Sequence, residues 1–194
     1  VLDNINVKYI LDLVNFNSVE FNGDASGNVN VTNILSQPYA CANIEVDNFH
    51  FNQAPLGKLT ANANWGEIPH FLKLDAFIQD KENNHNTNIH GGFNLGDKSR
   101  GNGLDLDINT EHFNLAFLNH FTKSIFEDFQ GRGTGHCHIY GPFKAINLEG
   151  DLLINHAYCK LPMLGTTYRI ENDSAHIRPG EIVIDALLMD KDFA

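Results

Sequence analysis

The chain contains 194 residues with a formal net charge of −11, and 42% of its residues are hydrophobic and 19% charged, as in ordinary globular proteins. An acidic chain repels phosphate backbones, so nucleic acid is excluded as a predicted partner. The negative charge gives no attraction to anionic lipid surfaces either, so any contact with lipid has to be apolar.

The cysteines and the hydropathy of the chain exclude further classes. The 3 cysteines include no Cys-x-x-Cys pair, and an odd number makes neither a zinc module nor a disulfide framework. No apolar run approaches the roughly 20 residues that a membrane-spanning helix needs. The sequence starts at Val1 rather than Met and stops at Ala194, just after a repeated unit is complete. We therefore expect it to be a part of a longer protein.

Two stretches carry the spacing of a short amphipathic helix, in which apolar residues share one face. The first lies within residues 4–14 and the second within residues 114–126. We expect both helices to cap or plug one end of a sheet rather than to bind a partner. The apolar positions are Tyr9, Ile10, Leu13 and Val14 in the first helix and Phe117, Leu118, Phe121 and Ile125 in the second.

Most of the remaining chain alternates between apolar and polar residues, the period of a strand with one dry face. Such segments recur about every ten residues with Gly, Asn or Pro turns between them, which predicts an all-β fold of antiparallel strands. The polar side of the strands is rich in Asn. The clearest segments are residues 28–32, 44–46, 49–51, 59–65, 72–78, 89–95, 104–109, 152–154, 168–170 and 182–184.

The sequence contains one unit twice, and an internal repeat of this kind constrains the whole fold. Gly27 matches Gly135, and 135 − 27 = 108. Near the end of each copy the offset becomes 110, because residues 74–81 match residues 184–191. Further matches at 108 join Phe21 to Phe129, Gly23 to Gly131, Val31 to Ile139, Ile44 to Leu152, Val46 to Ile154 and Leu56 to Leu164.

The repeat divides the chain into three parts that we expect to form one continuous unit. Residues 1–81 hold the first β repeat with its short leading helix, residues 82–108 form a spacer hairpin, and residues 109–194 hold a helix and the second β repeat. A single copy is a meander whose apolar face has to be covered. The copies can form a sandwich, a barrel, or one elongated, curved antiparallel sheet of the β-taco or solenoid kind. The elongated sheet is our predicted fold.

An elongated curved sheet leaves a trough lined by the apolar side of its strands. If its own side chains do not fill the trough, it can hold acyl chains, because burying roughly fifteen methylenes at about 0.8 kcal/mol each gives on the order of 12 kcal/mol. A closed, dry core without a ligand is the alternative that stays open here. The predicted lining residues are Val29, Val31, Ile44, Val46, Leu104, Leu106, Ile139, Leu152 and Ile154.

No catalytic or cofactor-binding motif is present. The run from Gly131 to Gly135 is only loosely like a phosphate loop, because strand-like residues follow it instead of a helix. We interpret its glycines as a tight turn or bulge at a strand start. Asp105 and Asp107 alternate with leucines, which indicates a solvated strand face rather than a glycosidase cleft. We predict no catalytic residue and no cofactor.

The triplet His136-Cys137-His138 is the strongest candidate for a metal site, but its geometry is unfavourable. On a strand the two histidines share one face and the cysteine lies on the other. The repeat aligns Cys137 with Val29, and it aligns Cys159 with another apolar residue. Both cysteines are therefore expected to be small buried hydrophobic residues, and we predict no metal ligand.

The order of several features in the second copy is characteristic. An amphipathic segment leads into Phe-x-Gly-x-Gly-x-Gly at residues 129–135, and an alternating strand ends at Tyr140-Gly141. Residues 148–152 read Leu-Glu-Gly-Asp-Leu, residues 161–169 read Leu-Pro-Met-Leu-Gly-Thr-Thr-Tyr-Arg, and an alternating run ends at Asp190. Together they resemble the C-terminal part of the TamB family of translocation and assembly module proteins. The first copy resembles the same family less strongly, through Gly27, residues 55–57 and Asp80.

The resemblance implies a function that the residues alone do not establish. Members of this family are very long, are anchored in the inner membrane by an N-terminal helix, and span the periplasm of Gram-negative bacteria as a taco-like β trough with an apolar interior. They are linked to outer-membrane biogenesis, both in protein assembly and secretion and as bridges that carry phospholipid. The implied partners are phospholipid acyl chains, a TamA-type outer-membrane barrel and neighbouring repeats of the full-length chain. The anchoring helix would lie outside this sequence.

Two other functions stay open. A structural or adhesive β-solenoid would have its core packed shut by Phe49, Trp65, Phe93 and their neighbours, whereas an acyl-chain conduit would have an open trough. A carbohydrate-active enzyme would have two carboxylates facing each other across a polar cleft.

Overall fold

The computed structural model describes residues 1–7, 21–33, 35, 39–51, 54–82, 84–94, 103–119, 127–142, 145–185 and 189–190. These residues form β-strands and one short 3-10 turn, Leu115–Leu118. The strands are β1 (Leu2–Asn6), β2 (Phe21–Thr32), β3 (Tyr39–Phe51), β4 (Ala54–Ile68), β5 (Phe71–Asp80), β6 (His85–Asn94), β7 (Gly103–Asn114), β8 (Glu127–Gly141), β9 (Asn147–Leu161), β10 (Thr166–Arg178), β11 (Glu181–Asp185) and β12 (Met189–Asp190).

The strands form a single open, curved sheet in which each strand pairs antiparallel with the next, from β1 to β11. The last strand, β12, pairs with β10 on the same side as β11. The alternation of apolar and polar residues places one side of the sheet towards a core and the other towards water. The predicted all-β, elongated antiparallel sheet is confirmed.

The sequence repeat is also a repeat of strand pairing. Gly27 faces Ile44 across β2 and β3, and Gly135 faces Leu152 across β8 and β9, so both members of the pair move by 108 residues. The strand β5 corresponds at an offset of 110 to residues 181–190, of which residues 181–185 form β11 and residues 189–190 form β12. Strands β2 to β5 of the first copy therefore recur as β8 to β12.

The repeated glycines are required by close approach of the backbone. A Cβ atom on Gly27 would lie 2.1 Å from the carbonyl oxygen of Asn43, and one on Gly135 would lie 2.2 Å from that of Asp151. Both glycines lie inside long strands, so the tight turn predicted for residues 131–135 is wrong, but the alternative prediction of a bulge is supported. Gly131 lies at a shift of register between β8 and β9, and Gly133 and Gly135 flank the shift between β7 and β8.

The predicted helix within residues 4–14 is wrong at its start, because residues 4–6 belong to β1. The Asn4 backbone N–H donates to Ser26 Oγ at 3.1 Å, and β1 pairs with β2. Pairing with a sheet edge outweighs so short a helical pattern, since helices of fewer than about 12–15 residues are marginal on their own. Val7 has helical backbone, and residues 8–20, which carry all four predicted apolar positions, lie outside the described residues.

Within the predicted helix at residues 114–126, the structure describes a 3-10 turn at Leu115–Leu118 followed by helical backbone at Asn119. Asn114 ends β7, and its Oδ1 accepts from the backbone N–H of Ala116 at 3.0 Å. The following turn carries Leu115, which is 1% exposed and packs into the core of the second copy. Residues 120–126 lie outside the described part of the chain.

Two hydrophobic clusters, one in each copy, lie where β3 and β9 finish, here called the closed end of the sheet. In the first copy Phe21 packs on Phe49 and Phe51, with ring centroids 5.7 and 5.1 Å apart. The buried members of the first cluster are Ala25, Val46, Phe49, Leu56 and Ile78. Those of the second are Leu115, Phe129, Ile154, Ala157, Cys159, Ile170 and Ala175.

The region of the predicted spacer hairpin continues the sheet between the two copies. Strands β6 and β7 pair with each other from Asn86–Glu111 to Asn94–Gly103. They also pair outward, β6 with β5 and β7 with β8. The apolar surface of the first copy therefore runs on into that of the second.

Candidate functional site

One face of the sheet, here called the apolar face, carries apolar or small residues in rows that cross the strands. Directly opposed residues of antiparallel neighbours share a face, so the register of the sheet defines each row. The first row, nearest the closed end, contains Ala25, Val46, Leu59, Ile78, Thr87, Thr110, Gly135, Leu152, Ala175 and Ile184.

Three further rows follow towards the opposite end, which is here called the open end. The second row contains Gly27, Ile44, Ala61, Ala76, Ile89, Ile108, Cys137, Gly150 and Ile177. The third row contains Val29, Ala42, Ala63, Leu74, Gly91, Leu106, Ile139 and Leu148. The fourth row contains Val31, Ala40, Trp65, Leu72, Phe93, Leu104 and Gly141.

The structure places the predicted lining residues on this face, but they differ in how deeply they are buried. Eight lie in the four rows, and Ile154 lies opposite Gly133, one step nearer the closed end. The buried members are Val46, Leu104 and Ile154, the half-buried members are Ile44, Leu106, Ile139 and Leu152, and the exposed members are Val29 and Val31.

Burial is greatest at the closed end and falls unevenly towards the open end, where Leu104 of the fourth row is still only 8% exposed. In the first row Val46 is 2% exposed, because Val7 and the phenylalanines of the first cluster cover it. In the third row every residue keeps some exposed surface, and Val29 is 44% exposed. The side chains of the chain itself therefore fill the closed end and leave the third row open along its length. Of the aromatics that could close the core, Phe49 is buried, whereas Trp65 and Phe93 are only half-buried.

A buried polar chain interrupts the first row. His85 Nε2 hydrogen-bonds Thr87 Oγ1 at 2.7 Å, and Thr87 Oγ1 hydrogen-bonds Thr110 Oγ1 at 2.6 Å. All three residues are buried, and the His85 ring meets Phe113 edge-on at 5.2 Å. Burial lowers the pKa of His85, so the imidazole is held neutral and acts within a fixed hydrogen-bond network. Sequence reasoning missed this chain because His85 sits in the polar segment next to the loop.

The opposite side of the sheet, here called the polar face, carries amides and histidine–carboxylate pairs. Asn28, Asn43 and Asn62 lie side by side on β2, β3 and β4. Pairs across neighbouring strands join His90 to Asp75 at 2.9 Å, His136 to Asp107 at 3.2 Å, His138 to Asp105 at 2.9 Å and His176 to Asp151 at 2.5 Å. The partners are far apart in sequence, so only the register brings them together.

These pairs shift the affinity of their members for protons. The hydrogen bond that His138 donates to the Asp105 carboxylate raises the pKa of His138, with Glu149 contributing from the other side. The hydrogen bond from His90 lowers the pKa of Asp75, and that from His176 lowers the pKa of Asp151. All of these groups are largely solvated, so each pair contributes little to stability.

The structure separates the members of the His136-Cys137-His138 triplet. The two histidines point to the polar face, where they pair with Asp107 and Asp105. Cys137 lies in the second row of the apolar face, and burial raises its pKa to about 11. Cys159, the other cysteine that the repeat aligns with an apolar residue, is 3% exposed within the second cluster. This burial confirms its prediction as a small buried hydrophobic residue. Among the described residues, no group of three or more histidines, cysteines and carboxylates is close enough to hold a metal.

Asp105 and Asp107 lie on the solvated polar face, as the alternation predicts. Each faces a histidine on β8 rather than a second carboxylate across a cleft. Asp75 is likewise paired with His90 and Lys73. These three carboxylates therefore each pair with a histidine on a neighbouring strand.

The predicted lining residues are all large and leave out the small residues of the apolar face. Ala42, Ala61 and Ala63 lie between larger residues and keep the face shallow there. The alternation of residues 59–65 predicts the apolar side for Ala61 and Ala63, as the structure confirms. Sequence reasoning missed the group that lines a cavity on the polar face, and no pattern in the sequence marks it because it gathers residues from β7, β8 and β9.

Comparisons with protein-family models, characterised proteins and solved structures found no match to this chain. In the part of the chain that the structure describes, no helix is long and apolar enough to span a membrane.

Proposed function

We propose that the apolar face binds phospholipid acyl chains, and that the chain is a segment of a TamB-like periplasmic protein in outer-membrane biogenesis. The protein would be tethered to the inner membrane by a helix outside this sequence and would work with a TamA-type barrel and with neighbouring repeats. Its role would be phospholipid transport, protein assembly and secretion, or both. This proposal assigns no catalytic residue and no cofactor.

The third row of the apolar face is the observation that carries the proposal. It crosses seven strand spacings from β2 to β9, and at about 4.8 Å each these extend over about 34 Å. One acyl chain occupies about half of the roughly 30 Å hydrocarbon core of a bilayer. An acyl chain laid along this row would meet Leu74, Leu106 and Ile139, while its head group stays in water. Transfer along the row would be passive, because neighbouring positions offer similar apolar contact.

The closed end favours a second candidate, a structural or adhesive β-solenoid with a filled core. There the chain covers its own apolar residues, with Leu115 at 1% and Ile170 at 1% exposure. A scaffold of this kind would bind no lipid. The two candidates therefore differ in what the third and fourth rows hold.

Lipid retention tests the proposal. The chain is incubated with vesicles of phosphatidylethanolamine and phosphatidylglycerol, repurified, and examined by native mass spectrometry and lipid extraction. We expect bound phospholipid in the wild type and at least a tenfold loss in V29D/V31D, because two charges would lie on the acyl-chain path. Both valines are already more than two-fifths exposed, so the fold should survive the change.

The matched control is N28D/N30D, which adds the same charge to the same strand on the polar face. We expect this control to retain lipid as the wild type does. Equal loss in both variants would show a general charge effect and contradict the assignment to the apolar face. A wild-type chain that retains no phospholipid would favour the solenoid with a filled core.

A further inference from the structure

A polar cavity of about 760 Å³ lies on the polar face near the closed end, between β7, β8 and β9. It falls in the size range of small-molecule sites, about 300–1,000 Å³. It lies on the other side of the sheet from the proposed acyl-chain rows, so the two sites are independent. Residues at the 3-10 turn also contribute to its lining, which consists of His112, Asn114, Ala116, Asn119, Asp128, Gln130, Gly131, Arg132, Asn155 and His156.

The cavity exists because the strand ladders break there. The register shifts between Thr110 and Phe113 on β7, and again near Gln130 on β8. His112 and Asp128 take left-handed backbone conformations at these breaks, with φ of 55° and 52°. A residue in such a conformation at a bulge turns its side chain away from the regular alternation. Consecutive side chains therefore collect on the polar face.

The backbone conformation around the cavity recurs in the first copy, but the side chains that line the cavity do not. His156 on β9 has φ of 46°, and Asn48, which is 108 residues earlier, has φ of 50°. The alignment replaces Arg132 by Asp24 and Asn155 by Asp47 in the first copy. The two copies therefore share this backbone conformation but carry different polar side chains on it.

The lining side chains retain hydrogen-bonding capacity on the side of the cavity. Asn155 uses its amide N–H to donate to Asn172 Oδ1 at 2.7 Å, which leaves its own Oδ1 as an acceptor. Asn114 uses its Oδ1 for the Ala116 N–H, which leaves its amide N–H groups as donors. Gln130 is exposed and offers both an acceptor and donors.

The charges in the cavity balance. Arg132 contributes one positive charge and donates to the His112 carbonyl oxygen at 3.2 Å. Asp128, which is exposed, contributes one negative charge. An anionic ligand would meet the Asp128 carboxylate in a chain of net charge −11, and a cationic ligand would meet Arg132. A neutral ligand meets neither penalty.

We propose that this cavity binds a neutral saccharide. Each hydroxyl group of a sugar both donates and accepts, which matches a lining of amides, two imidazoles, one carboxylate and one guanidinium. The Asp128 carboxylate and the Asn155 Oδ1 accept from hydroxyl groups, and the Asn114 amide N–H groups donate to them. The first copy carries two carboxylates in place of Arg132 and Asn155 and is not expected to bind the same ligand.

Titration followed by amide NMR tests the assignment. The ¹⁵N-labelled chain is titrated separately with glucose, N-acetylglucosamine, maltose and chitobiose, up to tens of millimolar. We expect at least one sugar to shift the side-chain amides of Asn114, Gln130 and Asn155 in a saturable manner. Gln130→Ala should weaken this binding at least tenfold, whereas Asn109→Ala, an exposed amide on the same face of β7, should not change it.

Asp128→Asn distinguishes a neutral ligand from an anion. The change keeps a residue type that tolerates the left-handed backbone but removes an acceptor and a negative charge. A sugar should bind this variant more weakly, while an anion should bind it more tightly. Inorganic phosphate is titrated in parallel with both proteins. Saturable shifts with phosphate alone, tighter in Asp128→Asn, would overturn the proposal, and so would the absence of any response to the four sugars.

Discussion

Asn4 and His112 occupy equivalent places in the two copies. They are 108 residues apart, and both have left-handed backbones, with φ of 51° and 55°. Each donates its backbone N–H to a hydroxyl 22 residues later, Asn4 to Ser26 at 3.1 Å and His112 to Thr134 at 3.0 Å. The repeat therefore includes β1 and the end of β7, and it reproduces individual hydrogen bonds as well as strands.

Gly135→Ala should destabilise the fold. Its Cβ would lie 2.2 Å from the Asp151 carbonyl oxygen, so β8 and β9 would have to separate. We expect a loss of about 2–3 kcal/mol in the free energy of unfolding, measured by urea denaturation. Gly180→Ala is the control, because its backbone is also left-handed but no atom lies within 4 Å of its Cβ position. That variant should lose only about 1 kcal/mol, and equal losses would contradict the role of close approach.

Substitution of Thr87, the middle residue of the buried polar chain, should destabilise the protein more than substitution of Thr110 at its end. Thr87→Val removes the partner of both His85 Nε2 and Thr110 Oγ1. It leaves His85 Nε2 unsatisfied and Thr110 Oγ1 with only a long bond, 3.4 Å, to the Asn86 carbonyl oxygen. We expect a loss of about 2 kcal/mol in the free energy of unfolding. Thr110→Val leaves the bond between His85 and Thr87 in place and should cost about 1 kcal/mol. The reverse order in urea denaturation would show that the chain is not organised around Thr87.

Stability should fall below pH 6.5 because of His85. Burial lowers its pKa from the ordinary 6.5, so below that pH the unfolded chain binds a proton that the folded state does not. The stabilisation is complete above pH 6.5 and is lost as the pH falls. His138 acts in the opposite sense, since its raised pKa stabilises the fold below pH 6.5 and this contribution is lost as the pH rises through the folded value.

The two histidines can be separated by NMR titration of their ring protons. We expect the His85 midpoint below 6.5 and the His138 midpoint above it. Asp105→Asn should lower the His138 midpoint and leave that of His85 unchanged, because only His138 contacts Asp105. A His85 midpoint at or above 6.5 would contradict its burial as a neutral ring.

Cys137 should react slowly with thiol reagents in the folded state. Its pKa of about 11, against an ordinary 9.0, lowers the thiolate fraction at pH 8 about 100-fold. The C41S/C159S variant leaves Cys137 as the single cysteine, and its reaction with a disulfide reagent can be followed by absorbance. The same variant in urea is the control, and a similar rate in both states would contradict the burial of this thiol.

The alternation of residues was enough to predict which face each apolar residue occupies, but not how deeply it is buried. Val31 and Val46 follow the same pattern, yet Val31 is 51% exposed and Val46 is 2% exposed. Distance to the closed end does not decide this alone, because Leu104 lies in the same row as Val31 and is 8% exposed. Val46 is covered because it lies in the first cluster, against which Val7 packs. That cover is a tertiary contact, which a period of two does not encode.

The polar face was less predictable because its features depend on register. His136 and Asp107 are 29 residues apart, and only the pairing of β7 with β8 brings them together. The cavity depends in addition on the left-handed residues His112 and Asp128, and histidine and aspartate are compatible with regular strands as well. The helix expected within residues 4–14 does not begin at residue 4 for a related reason, because the edge of β2 offers β1 a backbone partner that the helical pattern does not reveal.

The unbroken meander has a consequence for how the chain acquires its structure. From β1 to β11 every strand pairs with the strand that follows it in the sequence, so no strand depends on a partner that is distant in the chain. Contacts of short sequence separation lower the entropy lost in closing each loop, which speeds folding. The sheet can therefore assemble progressively from either terminus, one hairpin at a time. A destabilising substitution in one strand should then affect mainly the two strands that pair with it, as in other linear repeat architectures.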